Sequence, residues 1–151
     1  MSLDIDDLTH RFIGEHRVAR LATCGPDLNP VVVPICYAFD GEHIYTPIDE
    51  KPKSVSDSAL KRLRNIEANP QVALVIDDYS EDWGKLMYVL IIGAAEIISP
   101  GQHSSEHARA VGLLREKYVQ YLSMAIDKKP IIKIVPARFK QWSGADKSFE
   151  A

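Results

Sequence analysis

How closely the strand-like segments follow one another constrains this chain more than any other feature. Residues 17–23 (Arg-Val-Ala-Arg-Leu-Ala-Thr) alternate in polarity, residues 31–39 are apolar and rich in β-branched side chains, and His43-Ile44-Tyr45-Thr46 follows after Asp40-Gly41-Glu42. Asp-Gly between two such runs is a tight-turn signal. Parallel neighbours need a crossover of about a dozen residues or more, usually a helix, and no such length exists here. The opening half of the chain must therefore pair antiparallel.

The remaining segments fit the same plan. Residues 71–76, 86–98 and 130–135 read as strands, giving six, and 138–144 reads as an extended tail carrying Phe139 and Trp142. Gly93 inside the long apolar run predicts a bulge or a close backbone approach. Three segments have helical spacing. In 4–16, Ile5, Leu8, Phe12 and Ile13 form an apolar face; in 58–69, Leu60, Leu63 and Ile66 recur before Pro70; in 104–122, Val111, Leu114, Tyr118 and Tyr121 share a face. Asp57 or Ser58 is the expected cap of the second helix. The expected architecture is mainly β: a six-stranded antiparallel barrel with peripheral helices, one domain over 1–151 with a helical flank at 4–16.

Charge and composition exclude several functions. The 151 residues carry 18 Lys plus Arg against 21 Asp plus Glu, a formal charge of −3, so no overall basic field is available for a nucleic acid backbone. The apolar run 86–95 is too short to span a bilayer, and the N-terminus carries no basic-then-apolar leader, so a cytoplasmic protein is expected. Cys24 and Cys36 are too few for a disulfide scaffold and read as reduced packing residues.

Against this acidic background, Lys51, Lys53, Lys61, Arg62 and Arg64 concentrate five cations. Ser54, Ser56 and Ser58 and a helix start lie between them, so hydroxyls, free N–H groups and cations can converge on a phosphate. The cluster directly follows the third strand, where a barrel mouth opens. His103-Ser-Ser-Glu106-His107 imitates a zinc spacing, H-x-x-E-H. No well-placed third ligand follows it, so no metal is expected and both histidines are expected at the surface. Asp77, Asp78, Glu81 and Asp82 lack the spacing of a calcium loop. With no nucleophile–base arrangement in sight, an enzyme of this kind would take its chemistry from a cofactor.

The order of several short motifs resembles a known family. Arg17 to Thr23, Val33-Pro34, Ala38-Phe39-Asp40-Gly41, Ile44-Tyr45-Thr46, Asp49, Lys51-Pro52-Lys53, Leu60, Arg62-Leu63, Asn65-Ile66, Ala68-Asn69-Pro70, Asp78-Tyr79 and Glu81-Asp82-Trp83 together resemble the pyridoxamine 5'-phosphate oxidase-like split barrels, with an echo at Gln141 to Gly144. The small branch associated with the deazaflavin coenzyme F-420 is the nearest in appearance. The resemblance implies a homodimer of six-stranded split barrels with FMN or F-420 in clefts at the dimer interface, acting as an oxidoreductase on a small organic substrate. It further implies that Lys51, Pro52 and Lys53, with Lys61, Arg62, Arg64 and Asn65, hold the phosphate. Thr46, Ile48 and Asp49 would line the ribityl chain and ring, Val33, Pro34 and Ile35 would back the isoalloxazine, and Trp142 would approach from the other subunit.

Two departures refine this. The C-terminal residues lack the arginine-bearing motif used on pyridoxamine phosphate, so oxidation of that substrate is not expected. Met87 to Gly93 replaces the basic and aromatic strand of the deazaflavin branch, which makes FMN the first expectation and F-420 the second. A flavin or heme carrier without turnover is the alternative class.

Overall fold

The computed structural model describes residues 4–48 and 57–146. Its strands are β1 (Ala19–Cys24), β2 (Pro30–Ile35), β3 (Ala38–Phe39), β4 (Ile44–Pro47), β5 (Gln71–Asp78), β6 (Met87–Ile98) and β7 (Ile131–Ser143). The helices are α1 (Asp7–Glu15), α2 (Asp57–Ala68) and α3 (Ser104–Lys117). All strand pairs are antiparallel, in one sheet of order β2-β1-β5-β6-β7-β4-β3.

That order forces the sheet to curl. β2 and β3 are its two edges, yet only Cys36 and Tyr37 separate Ile35 from Ala38. Three Cα steps of about 3.8 Å cannot bridge more than about 11 Å, so the edges must approach each other. The Thr46 hydroxyl closes the seam by donating to the Cys36 carbonyl at 2.8 Å. The result is a half-barrel of seven strands rather than the expected six, because the 31–39 segment breaks at Cys36-Tyr37 to change edges.

The curl encloses one core, built on Ile13, Leu21, Ile44, Leu74, Ile76, Ile91, Ile132 and Ile134. A second core lies between α3 and the sheet, around Tyr45, Ile98, Leu114, Tyr118, Ile126 and Ile131. β4 serves both: Ile44 faces the first, Tyr45 the second, and all four of its residues are buried.

Local chemistry explains most element ends. Asp40 Oδ1 accepts from the N–H groups of Glu42 and His43, and Gly41 takes the positive φ of 98° that the turn requires. Asn69 Oδ1 accepts from Gln71 N–H past the end of α2, where Pro70 stops the helix. The Gly93 bulge is present. A Cβ there would lie 2.3 Å from the Val135 carbonyl, and the β6–β7 register shifts at that point. β7 runs straight through the expected strand and tail as one thirteen-residue strand. α1 buries Phe12 and Ile13 as expected, but Leu8 is 55% exposed and Thr9 is buried in its place. α3 ends at Lys117, and short 3-10 turns at Val119–Ser123 and Ile126–Lys128 replace its expected last turn.

The seam residue Tyr37 is held by α3's end. Its N–H donates to the Tyr118 hydroxyl at 3.0 Å, while that hydroxyl donates toward the Arg17 and Tyr37 carbonyls at 2.8 and 3.0 Å. Tyr37 in turn donates to the Ile13 carbonyl. Lys117 Nζ lies 4.0 Å from the centre of the Tyr37 ring and donates to the His16 carbonyl at 2.5 Å. Burial, aided by the neighbouring Arg17 cation, pushes the Lys117 amine down to about 8. Burial raises the phenols of Tyr45 and Tyr118 to about 12 and that of Tyr37 further.

Two outcomes follow from this knot. Tyr118→Phe leaves a buried N–H without its acceptor and should cost about 1–3 kcal/mol, read as a lowered urea midpoint. Above about pH 8 folded Lys117 has lost a proton that the unfolded chain keeps to about 10.4, so stability rises with pH. Beyond about pH 10 Tyr37, Tyr45 and Tyr118 ionise in the unfolded chain but not in the folded one, so stability falls. Urea midpoints from pH 7 to 11 should therefore pass through a maximum, and Lys117→Met should abolish the rise but not the fall.

Candidate functional site

α2 packs its inner face on the mouth of the half-barrel. Ile66 is buried in the first core and Leu63 packs against it, which leaves Lys61 and Arg64 exposed and Arg62 half-buried. Asn65 is 6% exposed and donates from Nδ2 to the Thr23 hydroxyl at 3.2 Å, fixing the helix to the end of β1. This contact explains Gly25: a Cβ there would lie 2.4 Å from Asn65 Oδ1. The loop after β1 also meets α2. The Asp27 carboxyl is held below the usual range by the Asn29 backbone N–H and side-chain amide, with a smaller pull from the Lys61 cation.

The other expected residues fall into separate groups. Val33 and Ile35 share the inner face of β2, Val33 opposite Leu21, whereas Pro34 lies on the outer face opposite Arg20. Thr46 is buried at the seam. Ile48 lines a cavity of about 230 Å³ together with Ser123, Met124, Ala125, Ile126 and Lys129. Trp142 stacks on Tyr88 across β6–β7, centroids 5.8 Å apart and planes 17° apart. Asp49, Lys51, Pro52 and Lys53 lie outside the described residues, as do Ser54 and Ser56.

Strand length separates Trp142 from the β4 group. β4 pairs with β7 at Ile131–Ile134, and Trp142 lies eight residues beyond, roughly 25 Å away at a strand rise of about 3.3 Å. Thr46 and the Trp142 of the same chain therefore lie far apart along β7. The partners Thr23, Gly25 and Tyr88 were not singled out by the sequence, although a glycine just after a strand is a usable signal for a close approach.

The zinc-like motif is dispersed over three structural tasks. His103 Nδ1 accepts from Ser99 N–H, and Glu106 takes the Tyr45 hydroxyl and the Lys133 ammonium at 2.9 and 2.8 Å. His107 contradicts its expected surface position: it is 2% exposed and its Nε2 contacts the Lys129 carbonyl at 2.6 Å, because the 3-10 turns fold back over the start of α3. Among the described residues no three His, Cys, Asp or Glu side chains group to hold a metal. Both cysteines are unbridged, and no helix is long and apolar enough to cross a membrane.

A curled antiparallel sheet with the cation-bearing helix α2 packed against it defines a split-barrel fold. The chain belongs to the pyridoxamine 5'-phosphate oxidase family, a flavin-binding group whose family model matches residues 5–143. No curated protein matches its sequence. Among solved structures it is similar to an FAD-binding protein of Mesorhizobium loti, 21% identical over 91% of this chain and 94% of that one, TM-score 0.66. It is also similar to the heme storage protein HutZ of Vibrio cholerae, 14% identical over 93% and 95%, TM-score 0.68. An F420 reductase is 24% identical over 90% and 98%, TM-score 0.63. At these identities the likeness is one of fold.

The Gly25–Asn65 contact has a direct test. Gly25→Ala should push Asn65 away, and Asn65→Ala should remove its hydrogen bond, each costing about 1–3 kcal/mol. The double variant should be less destabilised than the sum, since removing the amide removes the clash. Thermal melts of the four proteins check the cycle.

Proposed function

We propose that the protein is an FMN-dependent oxidoreductase that works as a homodimer on a small organic substrate. The observation that carries this reading is the fixed cationic helix: in a chain of net charge −3, Lys61, Arg62 and Arg64 are held at the barrel mouth by the Asn65–Thr23 contact. Lys51 and Lys53 are adjacent in sequence to the same helix and complete the proposed phosphate site. This donor set fits a phosphorylated ligand, and its ring would lie along β2 and the end of β4. The hydride chemistry would come from the bound flavin. The chain's own part is to bind the phosphate, orient the ring and exclude water. No side chain at the site is assigned to acid–base work.

The dimer rests on the outer face of the sheet. Val32, Ala22, Ala73 and Ile92 form one row across four strands, and Val75 and Leu90 extend the next, yet none of these belongs to either core. Val32 is 63% exposed. A contiguous apolar face of this kind marks an association surface, and a second copy is the proposed occupant. In this reading the partner's Trp142 approaches the cofactor cleft. Coenzyme F-420 is the second reading, supported by the likeness to an F420 reductase, and heme carriage is a third, supported by the likeness to HutZ. A cytoplasmic location belongs to the same proposal.

A visible spectrum of the purified protein separates flavin, deazaflavin and heme. If the phosphate site is as proposed, Lys53→Ala and Arg64→Ala should each weaken FMN by about ten- to a hundredfold, the equivalent of roughly 1.5–3 kcal/mol, and leave riboflavin binding unchanged. Equal effects on both ligands would remove the phosphate assignment. Leu90→Arg should convert the dimer to a species of 16.9 kDa in sedimentation and lose the cofactor with it.

A further inference from the structure

Apart from the proposed cofactor site, a cavity of about 370 Å³ opens between α3 and the 3-10 turn Ile126–Lys128. Arg115 builds its wall. The guanidinium Nε donates to the Tyr121 carbonyl at 3.1 Å, and Nη2 reaches the Met124 carbonyl at 3.0 Å and Asp127 Oδ1 at 3.1 Å. Three of its five N–H groups are thereby used to fold the 3-10 stretch back onto α3, and the Nη1 pair is not among them. His107 lines the same cavity. Its Nε2 faces the Lys129 carbonyl at 2.6 Å, which can only accept, so Nε2 carries a proton. Ser104 adds a hydroxyl, while Val111 and Gly112 supply the apolar part.

Gly112 sits inside a fourteen-residue helix, where glycine is unfavourable, and a Cβ there would meet nothing within 4 Å. Backbone crowding does not require this glycine; its missing side chain keeps the cavity wide.

We propose that this cavity is a second ligand site, taking a free α-amino acid with an apolar side chain. The lining carries a fixed cation and a fixed carboxylate side by side. A purely anionic ligand meets Asp127, and a purely cationic one meets Arg115. A zwitterion complements both, with its carboxylate toward Arg115 and Ser104 and its ammonium toward Asp127, and charge-assisted hydrogen bonds are the strong ones. Its side chain rests on Val111 and Gly112. The volume lies at the small end of ligand pockets, about 300–1,000 Å³, and far exceeds one water. The site is independent of the flavin reading.

Isothermal titration of the protein as purified, with L-leucine and L-valine as probes, tests this. Saturable binding is expected, weakened about tenfold or more in N-acetyl-leucine and in leucine methyl ester, each of which lacks one charge. Gly112→Phe fills the cavity and should abolish binding, with cofactor content and melting temperature preserved. Asp127→Asn keeps the shape and should weaken binding about tenfold, which keeps the proposal testable if the larger substitution disturbs α3. Absence of saturable heat with either amino acid up to about 10 mM would overturn the assignment. Equal affinity for the blocked derivatives, or undiminished binding in Gly112→Phe, would do so too.

Discussion

Everything in this fold depends on the two-residue passage from one edge of the sheet to the other. Cys36 and Tyr37 carry the chain from β2 to β3, and a sheet whose edges are tied so tightly has to enclose a core. Backbone polar groups at such a crossing have no strand neighbour, and leaving them unpaired would cost about 1–3 kcal/mol each. Tyr118, Thr46 and the β3–β4 pairing supply the partners. Because Tyr118 sits at the C-terminal end of α3 and Tyr37 reaches back to α1, closing the seam also fixes both helices.

The opposite side of α3 is tied by charge. The Tyr45 hydroxyl, buried on β4, donates to Glu106, and Lys133 on β7 donates to the same carboxylate oxygen. Lys133, with help from Tyr45 and Arg109, holds the Glu106 carboxyl below its usual range. α3 is thus fastened at its first turn by an ion pair and at its end by a phenol, with Val111 and Leu114 packed between. The cavity beside it lies between Gly112 and the 3-10 stretch that Arg115 holds.

Much of this was legible in the sequence. Tight spacing gave antiparallel pairing, Asp40-Gly41 the hairpin, Pro70 the end of α2, and Gly93 the bulge; each signal is local, and local signals survive folding. The misses are tertiary. Nothing within residues 31–39 marks Cys36-Tyr37 as the point of edge exchange, because the reason lies in Tyr118, 81 residues away from Tyr37. His107 looks like a surface residue until the 3-10 turns cover it. Of the site, the cations were readable as composition; their attachment through Asn65, Thr23 and Gly25 was not, since it needs the end of β1 beside α2.

The bulge at Gly93 decides which face Trp142 shows. On β7, Ile132 and Ile134 point into the enclosed core, and strict alternation would carry Pro136, Arg138, Lys140 and Trp142 to the same side. The register instead jumps from Gly93 opposite Pro136 to Ile92 opposite Arg138, so Ala137 is the extra residue. Beyond it the parity reverses: Phe139 packs against the core, and Arg138, Lys140 and Trp142 turn outward to the face that carries Leu90 and Tyr88. The reversal needs the β6 and β7 backbones to approach more closely than a side chain at position 93 permits. A missing Cβ in the middle of β6 thereby keeps two cations and an indole out of the core and places them on the surface proposed to meet a second copy.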